Sequence, residues 1–510
     1  FSQTLATDDE VLKNIWAEAM DNSQLEQLAH ELLDVIGPRL VGTPQMQKAH
    51  EWAVGKYAGW NVEAKNEEWG KWRGWERGVT HIDLLEPRVR TLEGMMLAWS
   101  PSTKKKGVTA ELIIMADAAD SLAFQAWLPN VKGKFVLISM PQPTGRADAS
   151  WEEYALKESF KKMKAERDSL RKNWRERLRK TGYNRRNFHP VLENAGAAGI
   201  ISSSWSSGWG VTRIFGTTTK KIPVVDLSLE DYGLLYRLVE HGGNPKVRIV
   251  AESKFTGEVP AMNTIAKLPG SEKPNEYVIL SAHFDSWDGA SGATDNGTGT
   301  LTMMEAMRIL KKFYPNPKRT ILVGHWGSEE QGLNGSRAFV KDHPDIVENL
   351  QASFNQDNGT GRVTRISGQG FIDAGDYLGR WLARVPSEVT EHIKLTFPGM
   401  PSGGGSDHAS FVAAGAPAFM IGSLNWDYFR YTWHTTRDTY DKLIFDDLKN
   451  NVILAASLAY LASEDPESTS REKRVLPMSE RTGKQREWPK VREPERAGGL
   501  EKKEATNSKK

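Results

Sequence analysis

Between Val11 and Tyr57 apolar residues recur at helical spacing (Leu25, Leu28, Leu32, Leu33, Ile36), stop at Gly37-Pro38, and resume through Ala49, Trp52 and Tyr57. The pattern predicts two amphipathic helices around a turn. From Trp60 to Ile114 the helical period gives way to short tryptophan-rich strands, and Val136-Leu137-Ile138 reads as a buried strand. Trp151 to Lys180 differs: Leu156, Phe160, Met163, Leu170, Trp174 and Leu178 punctuate a run dense in Lys, Arg and Glu. That spacing predicts a long helix with one apolar stripe, either a solvated surface helix or a homodimer contact. NAGAAGIISSS and IPVVDLSLEDYGLLYRLVEHGG then predict strand, strand and helix, closed by a strand at Lys246–Val250.

From Asn263 to about Ala462 the pattern changes again. Buried strands at Tyr277–Ala282, Thr320–Trp326, Ala352–Gln356 and Ala418–Ile421 alternate with helical stretches at Leu301–Phe313, Gly335–Lys341, Tyr377–Arg384 and Leu448–Ser463. Such alternation predicts an α/β fold with a mostly parallel central sheet flanked by helices. The chain therefore divides into 1–95, N-terminal helices and strands; 96–253, a β-rich block carrying the charged helix at 151–180; 254–463, the α/β core; and 464–510. The last part, charged, proline-containing and nearly devoid of apolar residues, reads as a disordered tail.

Composition narrows the chemistry. Lys+Arg 67 against Asp+Glu 65 leaves a net charge of +2, which gives no reason to expect nucleic acid. With Cys 0, thiolate nucleophiles and cysteine metal sites are excluded, so any metal must sit on His, Asp and Glu. No apolar run approaches the roughly 18 residues of a membrane span. The start at Phe1 fits a mature secreted or periplasmic chain whose signal peptide was removed.

Ligands of open α/β sheets gather beyond the carboxyl ends of the strands, and every such end here carries polar residues. YVILSAHFD ends in His283 and Asp285, ATDNGTG supplies Asp295, TILVGHWGSEE ends in Glu329-Glu330, ASFNQD ends in Asp357, and TWHTTRDT holds His434. These imidazoles and carboxylates would suit a pair of divalent ions with an open position for water. If His283 and Asp357 hold one zinc, Glu330 and His434 the other, and Asp295 bridges both, three carboxylates and one hydroxide balance two Zn2+. Glu329 is left over as general base. Asp285 fits a supporting role, accepting the other ring N–H of His283. His325, inside its strand, reads as a packed core residue.

The segments HFDSWDGASGATDNGTG, WGSEEQGLNGSRAF, NQDNGTG, GSDHASF and WHTTRDT resemble the co-catalytic dinuclear zinc exopeptidases of clan MH, which include aminopeptidases and the carboxypeptidase Q-like group. The likeness extends to IGPRLVGTPQMQKAHEWA, and the block around GKFVLISM is similar to an inserted protease-associated domain. It implies that His283, Asp295, Glu330, Asp357 and His434 bind two zinc ions and that Glu329 is the base. The implied activity is metallo-exopeptidase action on peptide substrates, with aminopeptidase preferred and a carboxypeptidase or dipeptidase as the alternative. Several relatives place a tyrosine beside the metals; here Trp433 precedes His434, and Tyr428 and Tyr431 are the candidates. Asp407 and His408 are expected to touch substrate, Asp407 as anchor for a free ammonium. Arg362, Arg430 and Arg437 lie in loops that a carboxylate clamp could use, but form no obvious pair. A glutaminyl cyclase, which usually works with one zinc, and an inactive peptidase-like binding protein are competing readings. The complete ligand set with its base argues against both.

Overall fold

Two strands longer than the sequence pattern suggests organise the chain. In the computed structural model, which describes residues 7–499, Glu63–Glu86 pairs antiparallel along its length with Lys246–Leu268. The short strands expected after Trp60 are largely this one ribbon, with Trp69, Trp72 and Trp75 buried along it. Its register shifts between Glu68 and Gly70, Gly74 and Trp75, and Arg77 and Thr80. Each irregularity resets the period-2 alternation, so one strand reads as fragments. Lys246–Leu268 also runs unbroken through the expected boundary at 253/254, so the β-rich block and the α/β core share one sheet.

On the core side, Arg319–Trp326, Lys273–His283, Leu350–Asn355 and Ala418–Ser423 lie side by side and parallel. Lys246–Leu268 and Val363–Ser367 bound them as antiparallel neighbours. The sheet is therefore mixed, with the expected parallel strands at its centre. Those strands are buried throughout most of their length, which is why they appear as near-continuous apolar runs. The helices Thr298–Phe313 and Phe445–Glu464 pack against one another and against these strands. Glu305 and Arg308 pair inside the first of them, and Arg308 also grips the buried Glu18 at 2.6 Å. This ties Thr298–Phe313 to the helix Glu10–Asp21. The N-terminal region thus has a further helix, Glu10–Asp21, before Leu25–Ala29 with its continuation His30–Ile36 and then Pro44–Gly59.

In the β-rich block, Val108–Ile114, Phe135–Leu137, Gly199–Ser202 and Val224–Leu227 form a parallel set. The helix Lys157–Lys180 lies on its surface with only Met163 and Arg167 buried. No helix among the described residues is long and apolar enough to cross a membrane.

The expectation of a disordered tail from 464 is corrected up to residue 499; residues 500–510 lie outside the described residues. After the helix ends, the chain runs as a strap over the core. Arg471 donates to the carbonyls of Val347 and Leu350, Ile372 N–H donates to Glu472 O, and Arg474 N–H donates to Gly370 O. Trp488 packs on Phe371 with ring centroids 5.6 Å apart, and Ala497–Gly498 pairs parallel with Lys71 and Trp72. The strap is held by backbone hydrogen bonds and a few aromatic contacts rather than an apolar face, so composition alone misreads it. Trp488→Ala is expected to cost about 2–3 kcal/mol in urea unfolding; a cost under about 0.5 kcal/mol, the usual range for an unpacked surface residue, would contradict the packing.

Candidate active site

The parallel register brings the polar strand ends to one level. Trp326 is opposite His283, and Asn355 is opposite Ser281, so Asp357, two residues beyond, reaches the level of His283. A buried seam fixes these ends: Ser281 Oγ donates to Asn355 Oδ1, Trp326 Nε1 donates to Ser281 Oγ, and Asn355 Nδ2 donates to Ser406 Oγ.

Asp295 lies in the turn Ala293–Gly297, with φ −130° and ψ 84°, just before the helix Thr298–Phe313. The helix-capping role natural to an Asp-Asn-Gly turn falls to Asn296, whose Oδ1 accepts from Gly299 N–H at 3.1 Å. Asp295 is thereby free to face both histidines. Its Oδ1 is 3.4 Å from His283 Nε2 and its Oδ2 is 3.4 Å from His434 Nε2. His283 Nε2 is also 3.3 Å from Asp357 Oδ1, and His434 Nε2 is 2.9 Å from Glu330 Oε2. Two compact donor groups result, His283–Asp295–Asp357 and Asp295–Glu330–His434, with ligand atoms in each within 4.8 Å of one another and Asp295 common to both.

The donor set fits divalent cations. Burial, followed by the neighbouring Asp295 and other carboxylates, pushes Glu330 well above the ordinary carboxyl range. Glu329 is pushed up in the same sense by burial, then by Asp357, Asp407 and Glu330 against an opposing contribution from His283. Burial works against a charged His283, but Asp357, Asp285 and Asp295 outweigh it and hold its pKa well above the usual value. A cluster that draws protons this strongly is short of positive charge. Buried Asp295 Oδ2 and Glu330 Oε1 also have no hydrogen-bond donor, a costly arrangement that a cation relieves.

Several elements aim these groups. His283 Nδ1 lies 2.9 Å from the backbone carbonyl of Asp285 and 3.7 Å from its carboxylate, so the carbonyl is the closer partner. The Asp285 carboxylate instead accepts the backbone N–H groups of Glu329 and Glu330, at 2.9 and 3.2 Å. Its role is corrected accordingly: it positions the glutamate pair. Asp438 does the same for the Asp295 turn, accepting from Thr294 N–H at 2.8 Å and Asp295 N–H at 3.0 Å. Arg39, fully buried, donates to the carbonyls of Phe284, Gly37, Ser291 and Gly292 and pins the loop between His283 and Asp295. Neither Asp438 nor Arg39 is distinguishable in sequence from an ordinary polar loop residue, although both fall within the quoted motifs.

His434 has φ 61°, a left-handed conformation uncommon for a residue with a Cβ. Contacts on both sides hold it: Trp433 stacks on its ring with centroids 3.9 Å apart, and the edge of Phe215 meets it at 5.2 Å. Its carbonyl accepts from Ile214 N–H at 2.8 Å, so the β-rich block braces this loop.

A cavity of about 480 Å³ opens onto Asp295, Glu329, Glu330, Asp357 and His434. Met420, Phe429 and Trp433 give it an apolar wall, and Tyr428 lines it close enough to Asp295 for burial and then that carboxylate to hold the phenol pKa well above its usual value. Tyr431 does not line it. Asp407 and His408, expected to touch substrate, are buried at 0% and 2% exposure and are not among the cavity-lining residues. Asp407 instead lies near enough to Glu329 to add to burial in raising its pKa. The helix His408–Ala413 turns the SDH segment into the interior. His325 is packed in the core, its Nε2 2.7 Å from Tyr57 Oη.

Peptidase family M28 matches residues 263–459. Carboxypeptidase Q of Bos taurus is 26% identical over 88% of this chain and 87% of its own length. Leucine aminopeptidase 1 of Coccidioides posadasii is 30% identical over 41% of this chain and 58% of its own length. Among solved structures, a peptidase M28 precursor from Shewanella amazonensis aligns with a TM-score of 0.66 at 24% identity, over 92% of this chain and 98% of the other. A zinc aminopeptidase from Bacillus subtilis aligns with a TM-score of 0.55 at 20% identity, over 88% and 97%.

Removing the Asp285 carboxylate should loosen the glutamate pair while sparing the backbone contact to His283. Asp285→Ala is expected to weaken metal binding by about 10–100-fold, the usual effect of losing a group that orients ligands. Titration against a competing chelator measures this, and unchanged affinity would contradict the positioning role.

Proposed function

We propose, from the match of residues 263–459 to peptidase family M28 and the likeness to carboxypeptidase Q over most of the chain, that this protein is a zinc-dependent exopeptidase acting on short peptides with two metal ions per chain. The observation that carries this reading is the pair of donor groups sharing Asp295. His283 and Asp357 would hold one ion, Glu330 and His434 the other, and Asp295 both. Two Zn2+ ions there would supply Lewis acidity toward the scissile carbonyl and acidify a water near neutral pH.

The chain's own groups do the rest. Glu329 lines the cavity without belonging to either donor group, so its carboxylate is placed to take the water's proton and pass it to the leaving amine. Tyr428 lines the cavity near Asp295, and its hydroxyl is the donor we assign to the negative charge that develops on the carbonyl oxygen. Met420, Phe429 and Trp433 exclude water and receive an apolar side chain of the substrate. The β-rich block, which we read as a protease-associated insertion, holds His434 through Ile214 and Phe215.

Which end of the peptide is recognised depends on the charges around the cavity. The acidic anchor for a free ammonium expected at Asp407 lies outside it. This weakens the aminopeptidase preference and favours the carboxypeptidase or dipeptidase alternative, in keeping with the name carboxypeptidase Q carried by relatives that align over most of the chain.

Glu329→Gln should reduce kcat by about 10²–10⁴-fold, with metal content by elemental analysis unchanged. Loss of metal together with activity would instead make Glu329 a ligand. Tyr428→Phe should lower kcat by about 10–10³-fold with little change in KM; an unaltered kcat would remove it from the mechanism.

A further inference from the structure

Two arginines line the same cavity as the catalytic carboxylates, and the strap delivers one of them. Arg337 projects from the helix Asn334–Asp342, and a Cβ built on Gly332 would lie 3.8 Å from its Nη1. Its guanidinium therefore rests over the loop that follows Glu329 and Glu330. Arg492 reaches the cavity from the strap, close enough to add to burial in disfavouring the charge on Arg337.

Arg492 is held in place at both sides. On one, Trp488 packs on Phe371 and donates from Nε1 to Arg474 O at 3.1 Å. On the other, Glu493 pairs with Lys341, Glu495 N–H donates to Asn334 Oδ1 at 2.8 Å, and Arg496 pairs with Asp342 at 2.7 Å. The helix carrying Arg337 is thus the one the strap is fastened to, which places both arginines at the same cavity. Neither makes an ion pair or a side-chain hydrogen bond among the described residues, whereas their neighbours Lys341, Lys490 and Arg496 all do. Asp407 and Glu329 act on Arg337 only through space.

Placing two like charges together is unfavourable unless an anion joins them. Guanidinium groups suit a carboxylate, because their fork of N–H donors matches its two oxygens. The anion that a peptide bond-cleaving cavity of this size would receive is one carried by its substrate. The strap lies outside residues 263–459 matched by the family.

We propose that Arg337 and Arg492 are the residues of this chain that together receive the free α-carboxylate of a peptide substrate. The proposal rests on the exopeptidase reading and names the residues that would recognise the substrate's end. It explains why a charge-rich segment is fastened down beside the active site.

The test is binding, measured by calorimetry on the zinc-loaded Glu329→Gln variant so that no turnover intervenes. The probes are Ala-Ala, Ala-Ala-NH2 and Ala-Glu-NH2. Ala-Ala should bind at least about tenfold more tightly than Ala-Ala-NH2, as expected for a charge-assisted contact. Adding Arg492→Ala or Arg337→Ala should bring the Kd of Ala-Ala to that of the amide without changing the latter, and Arg492→Lys should restore part of the difference. Equal binding of acid and amide, or equal weakening of both by the arginine variants, would overturn the proposal. So would tight, arginine-dependent binding of Ala-Glu-NH2, which would assign the pair to an acidic side chain. Turnover of Ala-Ala by the wild type tests the exopeptidase reading separately: the expected binding pattern with no hydrolysis would refute that reading and leave the carboxylate receptor standing.

Discussion

A buried carboxylate shared between two imidazoles is the constraint to which the rest of the site answers. Asp295 faces His283 through one oxygen and His434 through the other, with Asp357 and Glu330 completing the two groups. So much negative charge cannot stay ionised out of water without a counter-charge. The surrounding structure accordingly holds the groups apart and aimed rather than letting them collapse. Arg39, Asp438 and the Asp285 carboxylate fasten backbone and leave the carboxylate oxygens of the two donor groups available.

This division of labour follows from the sheet. Parallel strands in register bring residues distant in sequence to one edge, and the loops leaving that edge differ in how they are held. The turn at Asp295 is clamped by Asp438, the glutamate loop by Asp285, and the left-handed His434 by Trp433 and the β-rich block. The block and the core share the strand Lys246–Leu268, so the brace on His434 is part of the same continuous sheet.

Residues directly following apolar strands were legible in the sequence, because strand ends in an α/β sheet are where ligands gather. His283, Asp357 and the Glu329-Glu330 pair could be read that way, and the likeness to known zinc exopeptidases sharpened the same set. The parts that failed depend on tertiary direction. Asp407 lies in a motif near the ligands in sequence order, yet the helix His408–Ala413 turns it into the interior. Asp285 keeps its alternation with His283 only as far as the strand lasts, and beyond His283 its side chain swings to the glutamate amides. Arg337 and Arg492 are 155 positions apart, and no periodicity joins them. The strap has the composition of a solvated tail and is ordered by main-chain bonds that composition does not record.

The central claim is that these carboxylates and imidazoles form one paired-cation centre. Anomalous diffraction from crystals of the zinc-loaded protein tests it most directly. The account requires two peaks per chain, one touching His283 and Asp357, the other Glu330 and His434, with Asp295 in contact with both. A single peak, or two peaks of which only one touches Asp295, would contradict it.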